Sequence, residues 1–355
     1  MGKRVLMAMS GGVDSAVSAY LLKDDGYEII GATIKFWSKE ICGFDTPRAC
    51  CNLKSIEDCR LIAERIKIPY YVFNLEKEFK KEVIDYFIEE YLRGHTPNPC
   101  IVCNEKIKWG YFLKKAKEIG ADFIATGHYA QVVYSKEEKR FLLKEASDKE
   151  KDQSYVLFSL NQNLLAQTIF PLGNYKKSAV RNLAKRIGLP VYDKRESQDI
   201  CFIPGRDKKE FFKKFIPEIK PGPILNKEGK VLGEHKGIVF YTLGQREGLG
   251  ISGQKPLYVI KIDAQNNALI VGDKKEAMSQ RLEAKNLNWI VDKPEGELNL
   301  EVRIRYRHPK SPAVVISQKD NSVEVVFQTP QFAVTPGQAV VFYKDDLVLG
   351  GGWIV

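Results

Sequence analysis

The sequence predicts an α/β protein: a Rossmann-like domain built on a parallel sheet, then a small central domain, then a C-terminal antiparallel β-barrel. Three observations predict it. From Lys3 to about Pro190, β-like and helix-like runs alternate, the pattern of a parallel sheet with helices on both faces and a ligand site at the carboxyl ends of its strands. Past Cys201 the pattern breaks, because Pro217, Pro221-Gly222-Pro223 and Asn226 to Gly229 are turn formers. From Arg281 onward, short alternating runs are separated by Pro, Gly and Asp/Asn turns, which suits a small barrel or sandwich; a β-barrel is the expectation. The expected domain limits are 1–205, 206–280 and 281–355.

In order, the apolar run Val5 to Met9 is a buried strand, Asp14 to Asp25 a helix, Glu28 to Phe36 a strand, Ser55 to Ile66 a helix and Tyr70 to Asn74 a strand. Lys106 to Ile119 and Lys176 to Ile187 read as helices, the second stopped by Gly188, with the strand Phe123 to Thr126 between them. Lys208 to Phe215 is a short helix, and Leu300 to Tyr306, Ala313 to Ser317, Val323 to Gln328 and Gln338 to Tyr343 are strands.

Between the first strand and the first helix lies Ser-Gly-Gly-Val-Asp-Ser, Ser10 to Ser15. Two glycines let the backbone turn tightly with its N–H groups facing one concavity, and the helix adds its positive end, so the segment reads as a phosphate cradle. It is not a Walker loop, since no lysine follows to hold a γ-phosphate, and chemistry at the α-phosphate is favoured. The motif resembles the PP-loop of N-type ATP pyrophosphatases, which adenylate an oxygen and release pyrophosphate.

The chain has 355 residues, room for roughly two to three domains. Apolar residues make up 44% and charged residues 28%, which excludes extensive disorder. A net charge of +10 and a pI near 9.0 favour a polyanionic partner such as a nucleic acid. No apolar stretch approaches a membrane span and the basic start Lys3-Arg4 precedes too short an apolar run for a signal peptide. A cytoplasmic protein without a membrane partner is expected, with its seven cysteines reduced.

Thr96-Pro97-Asn98-Pro99-Cys100-Ile101-Val102-Cys103-Asn104 sets two thiols after a proline-stiffened turn and before the expected helix from Lys106, where a positive helix end would raise their thiolate fraction. Cys201 sits alone in Ser197 to Phe202, and spacing by itself leaves it a structural cysteine. Cys42, Cys50, Cys51 and Cys59 lack the paired spacing of a zinc ribbon and are expected to be thiols without metal. Gly248 to Gly253 fits the dinucleotide pattern, but no convincing strand precedes it and Pro256 stands where its helix would run.

Taken together, these motifs resemble the tRNA-specific 2-thiouridylase (MnmA) family nearly from end to end. The matching stretches are Ser10 to Ser15, Thr96 to Asn104, Gly127-His128-Tyr129, Lys151 to Tyr155, Ser197 to Phe202, His235-Lys236-Gly237, Tyr241 to Ile251, Arg305-Tyr306-Arg307, Thr335 to Gln338 and Leu349 to Gly352. The resemblance implies ATP-dependent thiolation of the wobble uridine, U34: adenylation at its C2 oxygen, then sulfur transfer with loss of AMP. It implies ATP binding by Ala8, Met9, Ser10, Gly11, Gly12, Val13, Asp14, Ser15, Ile34 and Gly127, with Mg²⁺ sharing the phosphate charge. Cys201 would receive a persulfide from a cysteine desulfurase or sulfur carrier protein, and Cys103 would resolve it through a transient disulfide. The chain departs from the family at Cys100, where well-known members carry aspartate. Cys100, Cys103 and Cys201 thus form a three-thiol set that would suit an iron–sulfur cluster of the [4Fe-4S] type, a reading left open beside the persulfide one.

The same resemblance implies tRNA contacts at Asn98, Pro99, Cys100, His128, Lys151, Asp152, Gln153, Tyr306, Arg307 and Gln338, with glutamate, lysine and glutamine tRNAs as substrates. The residues add Lys208-Lys209, Lys213-Lys214 and a row of Arg303, Arg305 and Arg307 expected on one strand face. Two alternatives stand beside this reading: another PP-loop ATP pyrophosphatase acting on a small molecule, and a non-catalytic RNA-binding protein.

Overall fold

The computed structural model describes residues 2–36, 53–194, 200–203, 207–251, 255–318 and 320–355. Cys42, Cys50 and Cys51, residues 197–199 of the Cys201 stretch and residues 252–253 of the glycine-rich pattern lie outside them. The chain divides into two compact units, the first of Met1–Val83, Cys100–Arg206 and Asp346–Leu349, the second of Ile84–Pro99, Asp207–Asp345 and Gly350–Val355.

The first unit holds β1 (Arg4–Ala8), β2 (Glu28–Lys35), β3 (Tyr70–Asn74), β4 (Phe123–Ala125), β5 (Ala130–Ser135), β6 (Arg140–Glu145) and β7 (Thr168–Ile169). Five of these form an all-parallel sheet in the order β3-β2-β1-β4-β7. β1 is central, and Val5, Leu6 and Met7 are wholly buried, as expected of a strand covered on both faces. α1 (Val13–Asp24), α2 (Leu53–Ile66) and α3 (Lys177–Arg186) supply cover; α2 buries Ile56, Cys59, Ile62, Ala63 and Ile66 along one stripe. The antiparallel hairpin of β5 and β6 follows β4, and Leu347 and Val348 pair with Lys144 and Leu143 of β6.

The helix expected from Lys106 begins earlier. A turn of α-helix at Pro99–Val102 leads into a π-helix, Cys103–Phe112, and then Leu113–Glu118. Proline at the first helical position pre-sets the backbone for this early start.

In the second unit β8 (Gly222–Leu225), β9 (Val231–His235), β10 (Tyr258–Asp263) and β11 (Ala268–Gly272) form a sheet in the order β10-β11-β8-β9. The helix α4 (Lys208–Phe215) is capped by Asp207, whose carboxylate accepts from the N–H groups of Lys209 and Glu210 at 2.9 and 3.1 Å. Phe212 of α4 stacks on Phe87 with centroids 5.9 Å apart. β12 (Met278–Trp289), β13 (Glu297–Arg303), β14 (Ser311–Ser317), β15 (Val323–Phe332), β16 (Ala339–Lys344) and β17 (Leu347–Ile354) follow in the order β12-β15-β14-β13-β16-β17, and β12 pairs back onto β17 to close a six-stranded antiparallel barrel. Closure leaves no edge strand to template aggregation.

One expectation is corrected here. Arg303, Arg305 and Arg307 do not share a strand face, because β13 ends at Arg303 and the chain bends through residues 304–307. The β13–β16 ladder stops at Arg303, and Arg305 turns to donate to the Phe332 carbonyl at 2.7 Å. Among the described residues no helix is long and apolar enough to cross a membrane.

Candidate functional site

The segment Ser10 to Ser15 forms the turn that its sequence requires. Gly11 has φ +70°, and a Cβ there would fall 2.7 Å from the Ser55 carbonyl oxygen, so only glycine fits. Ser15 braces the loop from within: its Oγ accepts from the Ser10 N–H and donates to the Gly12 carbonyl, both at 3.1 Å. Gly12 caps α1 without a side-chain acceptor, which leaves first-turn N–H groups to a ligand. Ala8 ends β1 and Met9 follows it, Ile34 lies near the end of β2 and Gly127 follows β4, so these expected ATP residues gather at the carboxyl edge of the sheet. A Cβ on Gly127 would come within 3.0 Å of the Asp14 and Ser15 backbone, which puts the end of β4 against the loop.

Cations missing from the local sequence are supplied by the fold. Lys177, 8% exposed, donates to both oxygens of Asp14 at 2.7 Å, and the Tyr129 hydroxyl donates to the same carboxylate at 2.7 Å. Lys194 donates to the Gly11 carbonyl at 2.8 Å and to Asp58 at 2.6 Å. Nothing in the local sequence distinguishes either lysine from the many others in the chain. Beneath the loop the Thr33 hydroxyl donates to the Met9 carbonyl at 2.8 Å and receives the Tyr70 hydroxyl at 2.7 Å. Cys59 is wholly buried beside them, and burial pushes its thiol up, as suits a packing residue.

Of the three candidate sulfur residues, Cys100 is exposed and Cys103 and Cys201 are half-buried. Cys103 opens the π-helix one turn after Pro99, so it lies inside the helix instead of at its end. Phe202, next to Cys201, meets Phe79 edge-on with centroids 5.9 Å apart, and Phe79 belongs to the helical turn Glu76–Phe79 that packs against the Cys103–Phe112 segment. Among the described residues no group of three or more His, Cys, Asp or Glu side chains is arranged to hold a metal ion. Cys100, Cys103 and Cys201 are therefore not brought together as a metal-ligand group among the described residues.

Behind Gly127, His128 is buried between Trp109 and Phe170, each with its ring centroid 5.9 Å away. Lys108 Nζ lies 3.3 Å from His128 Nε2 and donates to Asn104 Oδ1 at 2.9 Å. An ammonium only donates, so Nε2 accepts and Nδ1–H faces the Thr126 hydroxyl at 2.7 Å. Burial, with the Lys108 charge second, holds the His128 pKa well below its ordinary value, so the ring is neutral near pH 7.

The expected RNA contacts fall in different settings. Asp152 is 5% exposed and its carboxylate accepts from the Ala146 N–H and from the Ser154 N–H and hydroxyl, at 3.0, 3.2 and 2.9 Å; burial raises its pKa. It braces its own turn, and the half-buried Lys151 and Gln153 beside it present the accessible surface. In the second unit Asn98 is half-buried and Pro99 buried. Gln338 donates its amide to the Thr96 carbonyl at 2.6 Å, the Thr96 N–H donates to the Pro336 carbonyl at 2.9 Å, and the Thr96 hydroxyl meets that of Thr242. Tyr306 carries the Arg307 guanidinium 5.9 Å above its ring. The matching His235-Lys236-Gly237 stretch has a packing reason: the buried His235 ring joins the Gly237 N–H at 3.0 Å to the Asn267 carbonyl at 2.9 Å.

Three family models match the chain, described as "tRNA methyl transferase HUP domain" over residues 3–205, "tRNA methyl transferase PRC-barrel domain" over 209–273 and "Aminomethyltransferase beta-barrel domain" over 279–354. The chain is 49% identical to tRNA-specific 2-thiouridylase MnmA 1 of Caldanaerobacter subterraneus subsp. tengcongensis, over all of this chain and 98% of that one. It is 50% identical to tRNA-specific 2-thiouridylase MnmA of Natranaerobius thermophilus, again over all of this chain and 98% of that one. Among solved structures, a 4-thiouridine synthetase–RNA complex with bound ATP is similar at 20% identity and a TM-score of 0.36, covering 61% of this chain and 50% of that one. Identity near one half along the whole length leaves one assignment: the chain belongs to the tRNA-specific 2-thiouridylase (MnmA) family.

Proposed function

We propose that this protein converts the wobble uridine U34 of tRNA to 2-thiouridine, taking ATP as its magnesium complex. The observation that carries the reading is the first unit, which combines a braced phosphate loop, two lysines converging on it from afar and a thiol-bearing helix. Full-length relatedness to 2-thiouridylases supports tRNA as the substrate. The domain limits we propose are 1–205, 206–280 and 281–355.

The uridine C2 oxygen attacks the α-phosphorus and pyrophosphate departs into the Ser10 to Ser15 loop, where N–H dipoles stabilise the developing charge. Lys177 and Lys194 add their positive charge there. The terminal sulfur of a Cys201 persulfide bonds to C2, and the C2–O bond breaks as AMP leaves. The Cys103 thiolate then attacks the Cys201 sulfur; the S–S electron pair stays with the new thiouridine, and a Cys103–Cys201 disulfide remains for a dithiol reductant. A cysteine desulfurase or sulfur carrier protein reloads Cys201, and glutamate, lysine and glutamine tRNAs are the substrates we assign, in the cytoplasm. Cys100, where an aspartate is usual, serves as a proton-transfer or packing neighbour.

The test is a single turnover by iron-free protein loaded anaerobically with a Cys201 persulfide, given ATP, Mg²⁺ and unmodified tRNA and scored by mass spectrometry. One 2-thiouridine per AMP is expected, none from Cys201→Ser, and no pyrophosphate without tRNA. Product only after iron–sulfur reconstitution overturns the persulfide route, and pyrophosphate release without tRNA points to a small-molecule substrate.

A further inference from the structure

We propose that Tyr129 is a positioning residue that couples tRNA binding to ATP binding: through it, a turn that meets the RNA holds the Asp14 carboxylate away from the phosphate seat. The proposal rests on the tRNA reading above, in which Lys151 and Gln153 meet the substrate. Tyr129 lies in the connection between β4 and β5 and is 3% exposed. Its hydroxyl donates to Asp14 Oδ1 at 2.7 Å, and its ring centroid lies 5.7 Å from Lys177 Nζ, which also holds Asp14.

One turn, residues 146–154, grips both Tyr129 and Lys177. The Tyr129 N–H donates to Gln153 Oε1 at 3.0 Å, and the Tyr129 carbonyl accepts from the Gln153 N–H at 2.8 Å. The Lys177 N–H donates to Asp148 Oδ2 at 2.8 Å. Inside the turn the buried Asp152 gathers the Ala146 and Ser154 N–H groups, which stiffens it. An N–H only donates, so Gln153 must present Oε1 to Tyr129, and its Nε2 is left for another acceptor. Nε2 makes no hydrogen bond among the described residues, and Gln153 is half-buried, so an RNA oxygen can reach it.

Asp14 gives this linkage two states to choose between. It stands in the first turn of α1, whose N–H groups no cap side chain takes. A carboxylate there is drawn to the same N–H groups and positive helix end that attract a phosphate. Held by Tyr129 and Lys177, Asp14 leaves them to the nucleotide; released, it competes for them. RNA seated on Gln153 fixes the turn, and with it both donors, so it favours the held state. By linkage, ATP then favours RNA by the same factor.

The experiment is calorimetric titration of α,β-methylene-ATP, which cannot release pyrophosphate, into the full-length protein with Mg²⁺, first without and then with saturating unmodified glutamate tRNA. The tRNA should tighten nucleotide binding about tenfold in wild type. Tyr129→Phe keeps the ring and both backbone bonds to Gln153, yet should cut that gain to about threefold or less. Asp148→Ala should do the same by freeing the Lys177 N–H. A merely structural tyrosine predicts an affinity loss that is equal with and without tRNA. That result, a gain kept in both variants, or no gain in wild type overturns the proposal. Failure of the tRNA to bind wild type overturns instead the substrate reading on which it stands.

Discussion

Lys177 holds both carboxylate oxygens of Asp14 at 2.7 Å across 163 positions of sequence. The pair joins the start of α3 to the first turn of α1 beside the phosphate loop, and a buried lysine at a helix start works against that helix's dipole. Lys177→Met should therefore cost twice. Asp14, 30% exposed on its side chain, keeps an unpaired charge, and stability falls by about 2 kcal/mol, less than for a fully buried pair. Pyrophosphate formation falls at least about tenfold at saturating tRNA through the lost cation. Urea unfolding and a pyrophosphate assay read the two effects separately.

Gly11→Ala should abolish ATP binding in a protein that still folds. The added methyl meets the Ser55 carbonyl at 2.7 Å in a backbone of φ +70°, so the loop opens at the point where its N–H groups converge. Isothermal titration with ATP should show no heat, and circular dichroism should show the helices intact.

His128 makes stability depend on pH in a direction that follows from its burial. Its folded pKa lies well below the ordinary 6.5, so as pH falls through 6.5 the unfolded chain takes up a proton that the folded ring refuses. Stability is full above that pH and declines from there down to the folded value. His235 and His308 are shifted the same way, so the comparison must be with His128→Asn. Urea midpoints at pH 7.5 and 5.5 should differ less in that variant than in wild type.

Gln338 secures the turn before Pro99 from within the second unit. Gln338→Glu replaces its amide donor with an acceptor facing the Thr96 carbonyl. Hydrogen exchange at the Thr96 N–H, now bonded to Pro336, should quicken by about tenfold. An unchanged rate would mean that the Thr96–Thr242 contact and the backbone suffice.

The lysines of α4 stand on its solvent face because Phe211 and Phe212 bury the other. Lys209→Ala and Lys213→Ala together should weaken tRNA binding and flatten its salt dependence by about 0.8 in log–log slope per lysine. ATP affinity should not change.

Local chemistry made part of this molecule legible in its sequence. Ser10 to Ser15 was readable because the turn, its glycines and the helix after it are neighbours along the chain, and α4 was readable to its ends because an aspartate cap and a phenylalanine stripe mark it. Lys177 and Lys194 were not, since what distinguishes them from other lysines is a carboxylate or carbonyl brought close only by packing. Arg303, Arg305 and Arg307 look like a strand row until the ladder with β16 stops at Arg303. Asp152 looks like surface in a run of charged residues, yet three donors converge on it below the surface. The helix starts at Pro99 and not at Lys106 because the second of the two prolines before Cys100, a turn former by its sequence, is also a helix starter.

The order in which a ribosome delivers these residues gives the lysines a second consequence. The loop at Ser10 to Ser15 emerges almost at once, but the charges that face it come from Lys177 and Lys194. A nascent or prematurely released chain ending before α3 carries the loop without its cations. The loop therefore gains its contacts with Lys177 and Lys194 only when the first unit is nearly complete in synthesis.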